Sequence, residues 1–359
     1  MEGDLIHINE WLRPLSWLYG AGVWVRNLLF DSGMLKTQSY DRPIISIGNI
    51  TVGGTGKTPH TEMLLNMLLG SRRVAVLSRG YRRQSRGFHL ATPSTPMQTI
   101  GDEPWQIKQK FPDAIVAVDG NRRRGIQRLL TDASTRDVDV ILLDDAMQHR
   151  YVRAGLNIML TDYHRLITDD CLLPAGRLRE PASAKVRADI VIVSKCPTDM
   201  KPMDYRVVQK SLDLKPFQSL YFSTLRYRPV RRLFDETPGQ AETLTADTYV
   251  LLLTGIASPQ QMLMDLQRTT RHIIPMAFGD HHTFSSRDIS RIEEAFTAMQ
   301  GSKRLIITTE KDAARLRLAE GLTPIVRRHI YVLPIEVEIL QGRQAEFEKQ
   351  VIDFVEGTL

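Results

Sequence analysis

Short runs of β-branched and aliphatic residues recur along this chain, each closing in a polar or glycine-rich turn and most leading into a stretch of helical length. Ile44 to Ile47, Arg73 to Ser78, Ala114 to Val118, Val138 to Asp145, Asn157 to Thr161 and Asp189 to Ser194 form a first series. Continuous apolar character, in place of strict alternation, predicts strands buried on both faces, as in a parallel sheet covered by helices. A polar, proline-containing section from Pro197 to about Ala246 interrupts the series around one strand-like run, Ser219 to Tyr227, and reads as a connector. Buried-strand patterns then resume at Tyr249 to Leu253, Ile273 to Phe278, Arg304 to Thr309 and Ile330 to Pro334. The expectation is two α/β units in sequence.

The first strand ends in the most informative stretch, Gly48-Asn49-Ile50-Thr51-Val52-Gly53-Gly54-Thr55-Gly56-Lys57-Thr58, and a leucine- and methionine-rich helical pattern follows from Thr61 to Leu69. Strand, glycine-rich turn and helix are the setting of a phosphate-binding loop. Gly53, Gly54 and Gly56, with Thr55 between them, let successive backbone N–H groups turn toward a phosphate at the positive end of the helix. Lys57 then reaches the terminal phosphates and Thr58 offers its hydroxyl to Mg²⁺. The pattern departs from the common one in having Thr51 where a first glycine usually stands.

The run Val138 to Leu143 closes in Asp144-Asp145, with Gln148-His149 just beyond. An apolar strand ending in acid is the arrangement that holds Mg²⁺ or its water beside the loop threonine, a role open to Asp144 or Asp145. Gln148 and His149 stand where they can position a substrate hydroxyl, or serve only the turn. Gly101-Asp102-Glu103-Pro104 opens a short helical pattern, so Asp102 is either its cap with Glu103 in the first turn, or the pair supplies a base and a metal-side ligand. Arginines cluster after strand ends: Arg79 beside Tyr81, Arg122 after Asp119, and Arg177 and Arg179 in a proline- and glycine-containing loop. Planar guanidinium groups at the carboxyl edge of a sheet suit a phosphorylated ligand, and solvated basic loops are the alternative. Asp280-His281-His282 is a poor zinc site, because adjacent residues on extended chain point apart and no spaced third ligand follows.

Composition narrows the picture. The chain has 359 residues with a net charge of +6 and a pI near 9.3, which favours an anionic partner. Two distant cysteines, Cys171 and Cys196, argue against a disulfide scaffold and for a reducing compartment. Leu15 to Val25 carries no charge and holds Trp17, Tyr19 and Trp24, but it falls short of the roughly 20 residues that span a bilayer. It is either an interfacial helix, with rings at headgroup level, or a terminal helix packed on the core.

Taken together, these motifs, with Thr309-Glu310-Lys311-Asp312 further on, resemble the tetraacyldisaccharide 4′-kinase family in order over nearly the whole chain. The resemblance implies a P-loop NTPase-like α/β/α sandwich with a second, smaller α/β/α domain and a β-ribbon linker. It implies ATP and Mg²⁺ as cofactors and an acylated glucosamine disaccharide 1-phosphate lipid as acceptor, phosphorylated at its 4′-hydroxyl on the way to lipid A. It also moves residues 1–36 toward an interfacial helix on the anionic, cytoplasmic face of a bacterial inner membrane, with 37–216 as kinase domain, 217–246 as linker and 247–359 as C-terminal domain. By the same resemblance Asp102 is the base, His281 its partner, and Thr58, Asp144, Asp145 and Glu103 the metal side. Asn49, Arg79, Tyr81, Arg122, Gln148, His149, Arg177 and Arg179 are substrate candidates. No nucleic acid and no obligate protein partner are expected. An ATPase driven by a protein partner or by nucleic acid shares the nucleotide motifs and is the alternative.

Overall fold

Every residue of β1 (Ile44–Gly48), β2 (Val74–Ser78), β5 (Val140–Asp144) and β7 (Ile190–Ser194) is buried, as the unbroken apolar runs predict. The computed structural model describes residues 8–234, 241–255, 260–279 and 282–357. With β3 (His89–Leu90), β4 (Ile115–Val118), β6 (Leu156–Asp162) and β8 (Ser219–Tyr227), these strands build one sheet in the order β8-β7-β6-β1-β5-β2-β4-β3. All neighbours in it are parallel except β3, which runs antiparallel to β4. After this short edge strand comes the one-turn helix α3 (Met97–Ile100).

Register places the chemistry. Ile47 of β1 lies opposite Asp144 of β5, so the phosphate loop and the strand-end acids leave the sheet at one level. The chain passes from β1 toward β2 on one side, and from β5 across β1 to β6 on the other, so the loop sits where strand order reverses. Side-chain alternation sorts the core: Ile45 and Ile47 face a cluster with Leu64, Leu65 and Leu68 of α2 (Lys57–Leu68) and Ile107 of α4 (Asp102–Lys110). Ile44, Leu77 and Leu143 face Ile126 and Leu129 of α5 (Arg122–Thr131) instead. On that second face Met159 and Val191 pack with Val208 and Leu212 of α6 (Pro202–Leu212). The first helix, α1 (Arg13–Asp31), buries only Ser16 and Phe30.

The second unit, Arg226–Glu336, has its own sheet. β9 (Val230–Arg232), β10 (Ala241–Glu242), β11 (Tyr249–Thr254), β12 (His272–Ala277), β13 (Arg304–Thr309) and β14 (Ile330–Leu333) take the order β10-β9-β14-β13-β11-β12. Its helices are α7 (Gln260–Gln267), α8 (Ser286–Ala298), α9 (Glu310–Leu316) and α10 (Pro324–His329). α8 opens on a reciprocal cap between Ser285 and Asp288 and buries Ile289, Ile292 and Phe296. β12, expected as a buried strand, is an exposed edge strand, the position that tolerates Pro275 without losing a ladder hydrogen bond.

A larger correction concerns the C-terminus. The first unit takes in the chain up to Leu225 and again from Val337, so the last residues do not belong with the C-terminal domain expected at 247–359. β15 (Ile335–Ile339) joins the first sheet beside β8, and α11 (Gln344–Val355) buries Phe347 and Val351 in the cluster that holds α2. Tyr221 donates to Gln350 Oε1 at 2.9 Å and meets the Phe347 ring edge-on. Among its described residues the β-ribbon linker expected at 217–246 does carry strands, but they belong to the two sheets: β8 extends the first, and β9 with β10 begins the second. An amphipathic strand–helix pattern records that a segment has an apolar face, but not which of two sheets receives it.

Phe347→Ala should therefore cost the first unit about 3–5 kcal/mol. In a denaturant titration with a probe in each unit, the first unit's transition should move to lower denaturant while that of residues 226–336 stays in place.

Candidate active site

The phosphate loop is held from within and from below. Asn49 is fully buried, and its Nδ2 donates to Thr55 Oγ1 at 2.7 Å and Thr51 Oγ1 at 3.3 Å. Gly56, the residue that caps α2, has φ +84°, a conformation that strains any side chain. Val52 N donates to the Arg177 carbonyl at 2.8 Å and Arg179 N to that of Ile50 at 2.7 Å, lacing the loop to the 170–181 segment. The Asn49 amide nitrogen thus braces the loop, while its Oδ1 is buried without a partner. Thr51, where the usual glycine is missing, is used as an acceptor and as a bridge to Leu178.

Lys57 Nζ lies 3.6 Å from Asp145 Oδ1, so the loop lysine and the strand-end acids converge. Arg179 Nη1 donates to Asp145 Oδ2 at 3.1 Å and approaches Gln148 Oε1 at 3.4 Å. These cations outweigh burial and hold the Asp145 carboxyl below the usual range. Asp144 is different. It is buried, and that burial, with the charges of Glu103 and Asp145 beside it, raises its carboxyl to about 7 against the pull of Lys57 and Arg122. Its Oδ2 accepts from Ser78 Oγ at 3.3 Å, while Oδ1 is buried without a partner.

Arg122 also departs from expectation. It is 2% exposed, and its guanidinium donates to the Asp119 carbonyl at 2.6 Å and the Asp144 carbonyl at 2.9 Å. Its charge faces the acids, but its donors brace backbone, so it is not placed to grip a substrate. Arg79 and Tyr81 are exposed as a ligand site requires, on a loop beside α4. Gly101, with φ +92°, makes that approach possible, since a Cβ there would stand 2.8 Å from the Tyr81 carbonyl oxygen. Gly101 and not Asp102 is the cap of α4; Asp102 and Glu103 are its first helical residues, half-buried, with Glu103 near enough to act on Asp144.

Gln148 Nε2 donates to the Asn49 carbonyl at 2.7 Å, and the Gln148 carbonyl accepts from Arg26 of α1 at 2.6 Å. His149 is pushed down to about 4, first by burial and then by Arg122, Arg26, Arg79 and Arg123, so its imidazole is neutral. Its Nε2 is buried without a partner. Arg177 is exposed, and Arg179 is half-buried in its ion pair. Asp280 and His281 lie outside the described residues; His282 holds Asp288 at 3.0 Å within the α8 cap. Two residues not singled out in the sequence also reach the loop: His60 on α2 and Ser194 at the end of β7. His60 falls on the apolar stripe with Leu64 and Leu68, and a lone histidine there needs buried partners.

The family model for tetraacyldisaccharide-1-P 4′-kinase matches residues 8–356. The chain belongs to that family. The tetraacyldisaccharide 4′-kinase of Bacteroides fragilis is 55% identical over 99% of this chain and 95% of its own length. That of Phocaeicola vulgatus is 53% identical over 99% and 97%. A crystal structure of LpxK from Aquifex aeolicus in complex with ATP matches with a TM-score of 0.71 at 25% identity, covering 97% of this chain and 99% of that one.

For a 4′-kinase the acid pair must also suit Mg²⁺. Among the described residues no group of three or more His, Cys, Asp or Glu is arranged as a metal cage. Mg²⁺ in phosphoryl-transfer sites takes one or two protein oxygens and completes its shell with phosphates and water. The unpartnered Asp144 Oδ1, in a site with excess negative charge, fits that demand. Asp145, engaged by Lys57 and Arg179, is the less available of the two.

An acid whose pKa rises on folding favours the unfolded chain once it ionises, so stability should fall as pH climbs from the unfolded value through about 7. Asp144→Asn removes that loss. Without nucleotide, calorimetry should show the wild-type Tm falling between about pH 6 and about pH 8 more than the variant's, while phosphate transfer by the variant drops at least about a hundredfold.

Proposed function

We propose that this kinase transfers the γ-phosphate of ATP to the 4′-hydroxyl of a tetraacylated glucosamine disaccharide 1-phosphate, at the surface of a membrane. The observation that carries the reading is the convergence of Gly56-Lys57-Thr58 on Asp144 and Asp145, with Lys57 3.6 Å from Asp145, in a chain of this family. When bound, Mg²⁺ would supply charge neutralisation to the phosphates. Thr58 and Asp144 would hold it, with Asp145 and Glu103 adding negative charge around it. The amides of Gly53, Gly54, Gly56 and Lys57 cradle the phosphates, and the Lys57 ammonium tracks the charge that develops on the transferring group. Asp102, at the positive end of α4, accepts the proton of the attacking hydroxyl. Arg79, Tyr81 and Arg177 are exposed and turn to the sugar and its 1-phosphate, and His149 offers a neutral acceptor to a hydroxyl.

The membrane part of the proposal rests on α1. Trp17 and Trp24 are 73% and 64% exposed, together with Leu15, Leu18, Val25 and Leu28, and Trp11, just before the helix, is 93% exposed. No helix among the described residues is long and apolar enough to cross a membrane. An exposed aromatic and aliphatic surface on a helix that stops short of spanning suits an interface. Polar contacts keep that helix against the site: Ser16 Oγ donates to the Leu172 carbonyl, Tyr19 to that of Arg179, and Arg26 to that of Gln148. A multi-chain lipid could then present its headgroup to the site without leaving the bilayer.

Two measurements test these parts separately. In detergent micelles, labelled γ-phosphate should pass to the tetraacylated acceptor with wild type and not with Lys57→Ala; Asp102→Ala should lower kcat at least about a hundredfold with little change in either KM. Folded wild type that hydrolyses ATP and labels no lipid would overturn the acceptor. Trp17→Ser with Trp24→Ser should release the protein from anionic vesicles in a flotation assay, and an unchanged bound fraction would remove the interfacial role of α1.

A further inference from the structure

The phosphate loop depends on two backbone planes, and each is gripped by a side chain from outside the loop. The Gly56 carbonyl oxygen lies 2.7 Å from Nδ1 of His60, whose imidazole is fully buried. A carbonyl only accepts, so Nδ1 carries the hydrogen, and Nε2, 2.9 Å from Ser223 Oγ on β8, accepts from that hydroxyl. One residue earlier, the Thr55 carbonyl accepts from Ser194 Oγ of β7 at 2.8 Å. Ser194 is itself fully buried.

Peptide planarity turns these grips into aim. The Gly56 carbonyl and the Lys57 N–H belong to one rigid plane and point opposite ways, as do the Thr55 carbonyl and the Gly56 N–H. Holding each oxygen on the sheet side turns each N–H toward the loop's concave side. The Gly56 carbonyl also accepts from His60 N at 3.2 Å, and the shorter Nδ1 bond adds a second grip at a residue whose φ of +84° leaves the backbone freer than any residue with a side chain. The two amides concerned are those of the Gly56-Lys57 pair that cradles phosphate.

We propose that His60 and Ser194 are positioning residues for ATP, fixing the Gly56-Lys57 and Thr55-Gly56 peptides so that both N–H groups are presented to the phosphates before the nucleotide arrives. Neither touches the nucleotide. The proposal rests on the kinase reading only for the identity of the phosphate ligand, and it makes no use of the lipid acceptor.

Direct calorimetric titration of the full chain with ATP and Mg²⁺, in the absence of lipid, tests it. His60→Phe keeps a ring in the cavity and removes the grip, and it should weaken ATP about tenfold, as should Ser194→Ala. His60→Asn places Nδ2 where Nδ1 stood and should recover ATP affinity to within about threefold of wild type. In lipid assays the acceptor KM should not move in any of the three. Wild-type affinity in folded His60→Phe, or His60→Asn binding no better than His60→Phe, would overturn the proposal. If His60→Phe does not fold, the imidazole nitrogen resonances of wild type decide: a hydrogen on Nδ1 is expected, and one on Nε2 alone would refute the grip. Loss of lipid labelling with these ATP results intact would overturn the acceptor and leave the positioning role standing.

Discussion

Two carboxylates stand side by side at the end of a strand whose every residue is buried, and such a pair persists only where cations answer it. Lys57 comes from the start of α2, Arg122 from the start of α5 and Arg179 from the 170–181 segment. Three stretches far apart in sequence are thereby tied to one strand end, and the loop, the 170–181 segment and α1 are laced together around it. Compensation is unequal. Asp145 receives the close ion pairs, whereas Asp144 keeps one oxygen unpartnered and a raised pKa. On the proposed reading, the part of the site that the protein leaves unneutralised is the part a divalent cation would complete.

The same logic divides the arginines. A basic chain invites the view that its guanidinium groups wait for an anionic substrate, but several are used within the fold. Arg122 braces two strand-end carbonyls, Arg124 forms a two-pronged pair with buried Asp119, and Arg83 bonds to the carbonyls of Val118 and Gly87. Exposure does not sort them, since Arg122 is buried, Arg83 half-buried and Arg124 52% exposed; what these three share is a partner that the fold supplies. Sequence shows an arginine after a strand end; it does not show whether that arginine turns in or out.

Features written in local pattern were legible: the loop before α2, the acid pair closing β5, and the fully buried parallel strands; the bounds of Arg304–Thr309 were recovered to the residue, as were those of Ser219–Tyr227, although that run was read as part of a connector. Each follows from periodicity or spacing over a few positions. Features that depend on distant partners were not. The return of β15 and α11 to the first sheet, the edge position of β12 and the bracing of the loop by Asn49, His60 and Ser194 are choices between docking surfaces of similar apolar character. Pro275 inside a strand pattern was the one local sign of an edge.

The N-terminal helix shows how a weakly buried element can still have a fixed place. With only Ser16 and Phe30 buried, α1 gains little from the hydrophobic effect, worth roughly 1.5–3 kcal/mol for one side chain such as Phe30. Its remaining ties are polar, and a single net hydrogen bond contributes only about 1 kcal/mol. Several ties act together, however, and they converge on residues that also shape the site: Ser16 Oγ donates to the Leu172 carbonyl and accepts from Ala175 N, and the carbonyl of Gln148, which meets both Asn49 and Arg179, accepts from Arg26. The helix is therefore placed by the active site and not by a core of its own. On the membrane-surface reading, entry of its tryptophans into lipid would add the apolar burial that the folded chain withholds. Any shift in the helix's seat would then be felt first at Gln148 and Arg179, beside the acid that pairs with Lys57.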